Sequence, residues 1–270
     1  QTIDDGTEAN WKIQEDTWRQ SAEASLSLPA HRRVDVKVRV QLNGTEWIEE
    51  STSFVTGLTE GIRYPLISAE TEEDAPFSRG TEVFSRLTID GKILEAYLSC
   101  TAQGLYHVYL DGKRLDPFEM APGWTDYNRE LLYQTLDLTD KLTNGDHELS
   151  ALLGAGWYKG EIGFLHNRNQ YGKRTAFFAQ MTIRYADGRV QTFGTDETWQ
   201  GADTGILFSE IYDGETVDGR IQRTGIRKVQ VLEKPACLVS QEGGYNRVDK
   251  VFHGKKITTP KGETVLDFGQ

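Results

Sequence analysis

Asn-Gly and Asp-Gly pairs punctuate the whole chain, and they constrain its fold more than any other feature. Asn43-Gly44, Asp90-Gly91, Asp111-Gly112, Asn144-Gly145, Asp187-Gly188 and Asp213-Gly214 each suit a tight turn. Glycine accepts positive φ without cost, and Asn and Asp do so less readily. Short runs of period two flank these pairs. Val34, Val36, Val38 and Val40 alternate with Asp35, Lys37 and Arg39, the pattern of a half-buried strand. Its expected hairpin partner is Trp47 to Phe54, across Asn43-Gly44. Tyr106, Val108 and Leu110 alternate before Asp111-Gly112. Met181, Ile183 and Tyr185 do so before Asp187-Gly188, with Val190 to Phe193 returning. Long helical periodicity is absent, and a single helical turn is expected around Thr139 to Leu142. Many short strands with turn residues between them predict an all-β protein, a jelly-roll-type β-sandwich.

The bulk numbers exclude several classes. The chain has 270 residues, 37% hydrophobic and 26% charged, so it can bury a core and is not a disordered polymer. Mean hydropathy is −0.53, and no apolar run approaches the ~20 residues of a membrane helix. A net charge of −11 argues against nucleic acid, whose phosphates require a basic face. Cys100 ends an apolar run, as a buried free thiol would, and Cys237 lies far from it, so no disulfide framework is implied. The first residues, QTIDDGTEAN, are polar and acidic rather than leader-like. The compartment stays open, with a cytoplasmic location weighed ahead of a secreted one.

Composition suggests four segments. Residues 1–58 form a first block of strands, about half of what a seven-stranded sandwich needs. Residues 59–75 include the acidic stretch SAETEEDA and are expected to be a linker. Residues 76–225 carry the main sandwich. Residues 226–270 are expected to be a connector and the start of a further β domain, since TVLDFGQ begins like a strand.

The short motifs argue mostly against local chemistry. Gly154, Gly156 and Gly160 in LLGAGWYKG have the wrong spacing for a dinucleotide loop, and Trp157 and Tyr158 stand where its helix should start. A glycine-permitted bend presenting two aromatics is the expectation. His31, His107, His147, His166 and His253 show no metal-ligand spacing. Asp213 and Glu215 could pair as catalytic carboxylates, but an acidic turn around Gly214 is the commoner outcome, and a glycosidase pair usually comes from different elements. The aromatics say more. Trp124 and Tyr127 in APGWTDYNRE, Trp157 and Tyr158 in GAGWYKGEIG, and Tyr171 in HNRNQYGKR lie among Asp, Asn and Arg. Stacking faces beside hydrogen-bonding groups suit sugars. Core packing of the two tryptophans is the competing expectation.

An ordered series of motifs then resembles the N-terminal domain of bacterial α-L-rhamnosidases. GLYHVYLDGKRLDPFEMAPGWTDYNRELLYQTLDLTDKL (Gly104 to Leu142) and NGDHELSALLGAGWYKGEIGF (Asn144 to Phe164) carry it. RNQYGKRTAFFAQMTIRYADG, TDETW and IYDGETVDGR continue it in order. Val34 to Leu58 resembles the end of a fibronectin-type-III-like domain, a partial β-sandwich, and VLDFGQ the opening of a following β-domain. The resemblance implies a fragment whose parent releases terminal α-L-rhamnose with inversion, using acid and base residues in a C-terminal (α/α)₆ barrel. No catalytic residue is expected in this chain. Its implied partners are rhamnose-containing glycosides and the barrel of the same polypeptide.

No cofactor is required on this reading, though some members of the family bind L-rhamnose with calcium, so calcium is a possible ligand. The carbohydrate-binding residues expected are Trp124, Asp126, Tyr127, Asn128, Trp157, Tyr158, Asn167, Asn169 and Tyr171, with Asp126, Asn128, Asn167 and Asn169 as the polar cluster. Lys173 and Thr175 stand where relatives often have Asp and Pro, and a lysine opposes a bound cation. The alternative is a structural spacer that packs on the barrel and binds no sugar.

Overall fold

A computed structural model describes residues 2–3, 7–8, 28–40, 46–58, 61–74, 77–163, 166–235, 237–242 and 244–269. Asn43-Gly44 and the expected boundary at Pro76 lie outside the described residues. In chain order the strands begin with β1 (Thr2–Ile3), β2 (Thr7–Glu8), β3 (Arg33–Val40), β4 (Ile48–Val55) and β5 (Ile67–Ser68). After a 3-10 turn at Glu72–Asp74 come β6 (Thr81–Ile89), β7 (Ile93–Gln103), β8 (Leu105–Leu110), β9 (Lys113–Arg114), β10 (Leu131–Asp137) and β11 (Gly145–Gly154). A single helical turn, α1 (Gly156–Lys159), precedes β12 (Ala176–Tyr185), β13 (Val190–Gly194), β14 (Gln200–Asp203), β15 (Ile206–Glu210) and β16 (Gly214–Val217). The chain continues with β17 (Thr224–Lys228), β18 (Gln230–Val231), β19 (Leu238–Ser240), β20 (Lys255–Thr258) and β21 (Thr264–Asp267). Among the described residues no helix is long and apolar enough to cross a membrane.

Two sheets make the sandwich. One runs β18-β5-β12-β7-β10-β19, with β13 also on β12, and the other runs β17-β14-β6-β11-β8-β9. The all-β sandwich expected from the turn spacing is therefore what forms. The turns behave as their residues dictate: Asp111 and Gly112 both take positive φ, 50° and 74°, the geometry of a two-residue hairpin turn between β8 and β9. The expected pairings are also present. Val34 faces Phe54 and Val40 faces Ile48, and Met181 faces Phe193. Around Thr139 the chain makes only a turn, with Leu142 N–H donating to Leu138 O at 3.1 Å. Among the described residues, the one stretch that forms an α-helix is the single turn Gly156–Lys159.

The core explains why β12 reads apolar on both faces. Phe177, Ala179, Met181 and Ile183 point between the sheets, against Leu98 and Cys100 of β7 and Val83, Leu149 and Val108 of the opposite sheet. Ala176 and Phe178 point outward, yet they are covered by Leu58, Ile62, Tyr64 and Leu66. Cys100 is a free, buried thiol as expected, and burial pushes its pKa up to about 12, so it is an inert packing group.

That cover corrects the expected linker. Residues 61–74 belong to the sandwich: Ile67 pairs with Phe177 of β12, and Glu70, in the acidic stretch, is 1% exposed. The boundary at 225 moves as well, because β17 extends one sheet while β18 and β19 join the other. The first block also reaches the sandwich. His31 Nδ1 lies 2.9 Å from Thr182 Oγ1 and its Nε2 lies 2.8 Å from Ser99 Oγ, while Arg32 pairs with Glu95 at 2.8 Å.

Candidate functional site

Three segments bring the sequence-predicted aromatics to one rim of the sandwich. The first is the loop between β9 and β10, which passes through a cis Ala121–Pro122 peptide and carries Trp124, Asp126, Tyr127 and Asn128. The second is α1, which carries Trp157 and Tyr158. The third is the stretch before β12, with Asn167, Asn169 and Tyr171. The bend expected at Gly156 is a helical turn entered at φ 53°. A Cβ there would lie 2.7 Å from Leu105 Cγ, so only glycine lets this turn seat against β8.

Trp124 and Trp157 lie parallel, with ring centroids 5.9 Å apart and planes 8° apart. Trp124 is 51% exposed and Trp157 is half-buried, so core packing does not account for the pair. Beside them Tyr127 meets Tyr158 and Tyr171 edge-on, at centroid distances of 5.4 and 5.0 Å. Tyr158 and Tyr171 are near-parallel at 6.4 Å. Tyr127 Oη donates to Gly123 O at 2.7 Å. Burial, then the neighbouring Tyr171 and Tyr158, push the Tyr127 phenol up, and burial does the same for Tyr158. Tyr127 and Tyr158 therefore stay neutral around neutral pH, polar but uncharged parts of the wall.

The polar candidates divide. The Asp126 carboxylate shapes its own loop, accepting Asn128 N–H at 3.2 Å and standing 3.6 Å from Arg129 Nε. Asn167 lends its carbonyl to Ile162 N–H at 2.9 Å, and Asn169 N–H donates to Lys159 O at 2.9 Å. Asn169 Oδ1 is different, being buried without a hydrogen-bond partner. An orphaned buried oxygen is costly, and it is the one feature of the cluster that fits a bound cation.

Sequence reasoning missed what anchors this rim. Lys159, at the end of α1, is fully buried with its Nζ 2.8 Å from Glu70 Oε1, the two side chains being 0% and 1% exposed. Thr175 N–H donates to the other Glu70 oxygen at 2.6 Å. Burial raises the Glu70 pKa, while Lys159 and Thr175 pull against it. The only available signal was an acidic residue in a stretch read as linker. The other carboxylate candidates are an exposed turn: Asp213 precedes Gly214 at φ 80°, and Glu215 lies on exposed β16 opposite Ser209.

Residues 91–243 match the family described as the α-L-rhamnosidase N-terminal domain. An α-L-rhamnosidase of Streptomyces avermitilis is 35% identical over 192 residues, 66% of this chain and 18% of its own length. One from Formosa agariphila is 26% identical over 96% of this chain and 29% of its own. Among solved structures, Aspergillus terreus α-L-rhamnosidase superposes with a TM-score of 0.77 at 28% identity, covering 90% of this chain and 30% of that one. The Streptomyces avermitilis enzyme complexed with L-rhamnose gives 0.66 at 32%, covering 72% and 20%. The chain thus spans less than a third of each of these relatives. By the match across more than half its residues, the chain belongs to the α-L-rhamnosidase N-terminal domain family.

Proposed function

We propose that this sandwich is a non-catalytic sugar-recognition module of an α-L-rhamnosidase, with the Trp124–Trp157 pair as its platform. The exposed, parallel pair carries the reading. Indole faces stack on the C–H face of a pyranose, and rhamnose adds an apolar methyl group. Tyr127, Tyr158 and Tyr171 form the flanking wall, and Asp126, Asn128, Asn167 and Asn169 are the polar neighbours. A solved relative complexed with L-rhamnose makes a rhamnose-containing glycoside the first ligand to try. Calcium is part of the proposal only through Asn169 Oδ1, the orphaned oxygen. When bound, the ion would offer sugar hydroxyls a Lewis-acidic contact.

The parent would hydrolyse terminal α-L-rhamnosyl linkages with inversion, one acid protonating the leaving oxygen and one base activating water. Those groups would come from the barrel of the same polypeptide, and this chain alone is expected to turn over no aryl α-L-rhamnoside. The β3–β4 hairpin would be the edge of a fibronectin-type-III-like domain, a reading supported by the apolar side chains Ile48 and Phe54, both exposed on β4.

Calorimetric titration of the chain with L-rhamnose, in calcium and then in EDTA, tests the reading. Saturable binding that weakens on chelation and falls in Trp124→Ala is the expected result. Absence of heat at millimolar sugar would favour a structural spacer. One observation speaks for that second reading: an open cleft of about 440 Å³, lined by Phe77, Ile206, Leu207, Phe208 and Ile221, could receive a barrel surface.

A further inference from the structure

Beyond the aromatic side chains, three further side chains from two separate segments converge. Glu161 follows α1, His166 lies five residues on, and Asp213 sits in the β15–β16 turn. Each offers one donor atom, and these atoms lie within 4.8 Å of one another. We propose that Glu161, His166 and Asp213 bind a divalent transition-metal ion of the Zn²⁺ class, tying the residues that carry Glu161 and His166 to the β15–β16 turn.

The donor set selects the ion. One imidazole nitrogen with two carboxylate oxygens suits Zn²⁺, Ni²⁺ or Cu²⁺, whereas Ca²⁺ and Mg²⁺ favour shells made of oxygen. Two carboxylates outnumber one imidazole, so the trio is negative whether or not the ring is protonated, as a cation requires. A surface His–Glu pair would be the plainer account, since His166 Nδ1 lies 2.6 Å from Glu161 Oε2. That pair does not need Asp213. A third donor brought to the same point from a different hairpin is what the pair leaves unexplained.

The trio is fixed on one side and adjustable on the other. Glu161 N–H donates to Glu210 Oε2 at 3.0 Å. Glu210 is in turn held by Arg168 at 2.5 Å and by the Ser78 hydroxyl. The Arg168 charge is thus directed at Glu210, and its Nη1 stands 3.8 Å from the Glu161 oxygen not bonded to His166. Glu161 is mostly buried over this network, while His166 is 76% exposed and Asp213 is exposed. Metal–ligand bonds of ~2.1 Å place donors about 3.4 Å apart. His166 and Asp213 can close that difference by rotating side chains, without moving the sheet. The trio shares no side chain with the aromatic platform or with the orphaned Asn169 oxygen, so substitutions can test this site and the sugar platform separately.

The test is calorimetric titration of the chain with Zn²⁺ near pH 7.5, with thermal unfolding followed in parallel and Ca²⁺ as the comparison ion. One equivalent of saturable Zn²⁺ binding is expected, with the unfolding midpoint rising with free ion. His166→Ala and Asp213→Ala should each weaken it by at least about tenfold. Both side chains are exposed, so both variants are expected to fold, and unchanged unfolding midpoints without metal would verify it. Trp124→Ala should bind Zn²⁺ as the parent chain does, whatever it does to sugar binding. No saturable Zn²⁺ binding, binding unaltered in both variants, or tighter Ca²⁺ than Zn²⁺ at these residues would each overturn the assignment.

Discussion

Two tryptophans set the interior of the sandwich against its rim. Trp199 is 1% exposed, its indole N–H donates to Gly194 O at 2.9 Å, and Phe177 and Phe193 tilt against it at 6.1 and 5.8 Å. Trp124 is half in solvent and touches a second indole lying parallel to it. The first residue has every requirement of a buried aromatic met, including a partner for its polar tip. The second leaves an apolar face in water, which folding alone does not reward. One residue type thus serves stability in one region and, on the proposed function, surface recognition in the other.

Replacing Trp199 breaks the comparison most forcefully if it is wrong. Trp199→Ala should cost roughly 3–5 kcal/mol, the usual loss for a large aromatic removed from a packed core. Urea unfolding measures it, and a loss below about 1 kcal/mol would mean that the interior is no better packed than the rim. Lys159→Met should cost a similar amount, about 3–5 kcal/mol, because it leaves the Glu70 carboxylate buried without its cation. Lys159→Met combined with Glu70→Leu should recover much of that loss. Failure of the double variant to recover would mean that the pair acts through its hydrogen bonds to Thr175 rather than through charge.

These two regions were unequally legible in the sequence. Hairpins were readable because their information is local: Asp111-Gly112 demands positive φ, and Tyr106, Val108 and Leu110 alternate beside it. The two- and three-residue strands β5, β18 and β19 were not, since so few residues carry no period and only pairing makes them strands, β5 on β12, β18 on β5 and β19 on β10. Glu70 was read as part of a solvated acidic stretch because its partner, Lys159, is 89 residues away. The site aromatics were found by residue type and neighbours, but their exposure was not. Trp199 in TDETW and Trp124 in GWTDY have equally polar surroundings in sequence, and only the packing of β13 and β14 buries the first.

The docking of the first block onto the sandwich gives a smaller effect, dependent on pH. Burial, reinforced by the Arg184 charge, lowers the His31 pKa from 6.5 to about 4. The unfolded chain therefore takes up a proton near pH 6.5 that the folded chain refuses until about pH 4. The contribution is full above pH 6.5 and is lost progressively as pH falls toward 4, at most ~3 kcal/mol for a shift of this size. Carboxylates titrate near the same window, so the parent chain must be compared with His31→Gln. The difference in stability between the two should shrink as the pH falls from 6.5 to 4. A constant difference would show that the imidazole is accessible to protons in the folded state.

The smallest expected change in stability sharpens the comparison from the other side. Trp124→Ala should alter unfolding free energy by no more than about 0.5 kcal/mol, as for exposed positions outside special contacts. Trp157→Ala should cost more, because that ring is half-buried and sits on the helical turn that Lys159 pins. If the pair is a recognition platform, both variants should lose L-rhamnose binding, despite unequal losses of stability. If it merely packs, binding should be unaffected and the two stability losses should track burial alone. A core residue cannot give the first pattern, since its removal costs folding before it costs ligand. Retained stability together with lost affinity in Trp124→Ala is therefore the outcome that would separate rim from core as a difference in function.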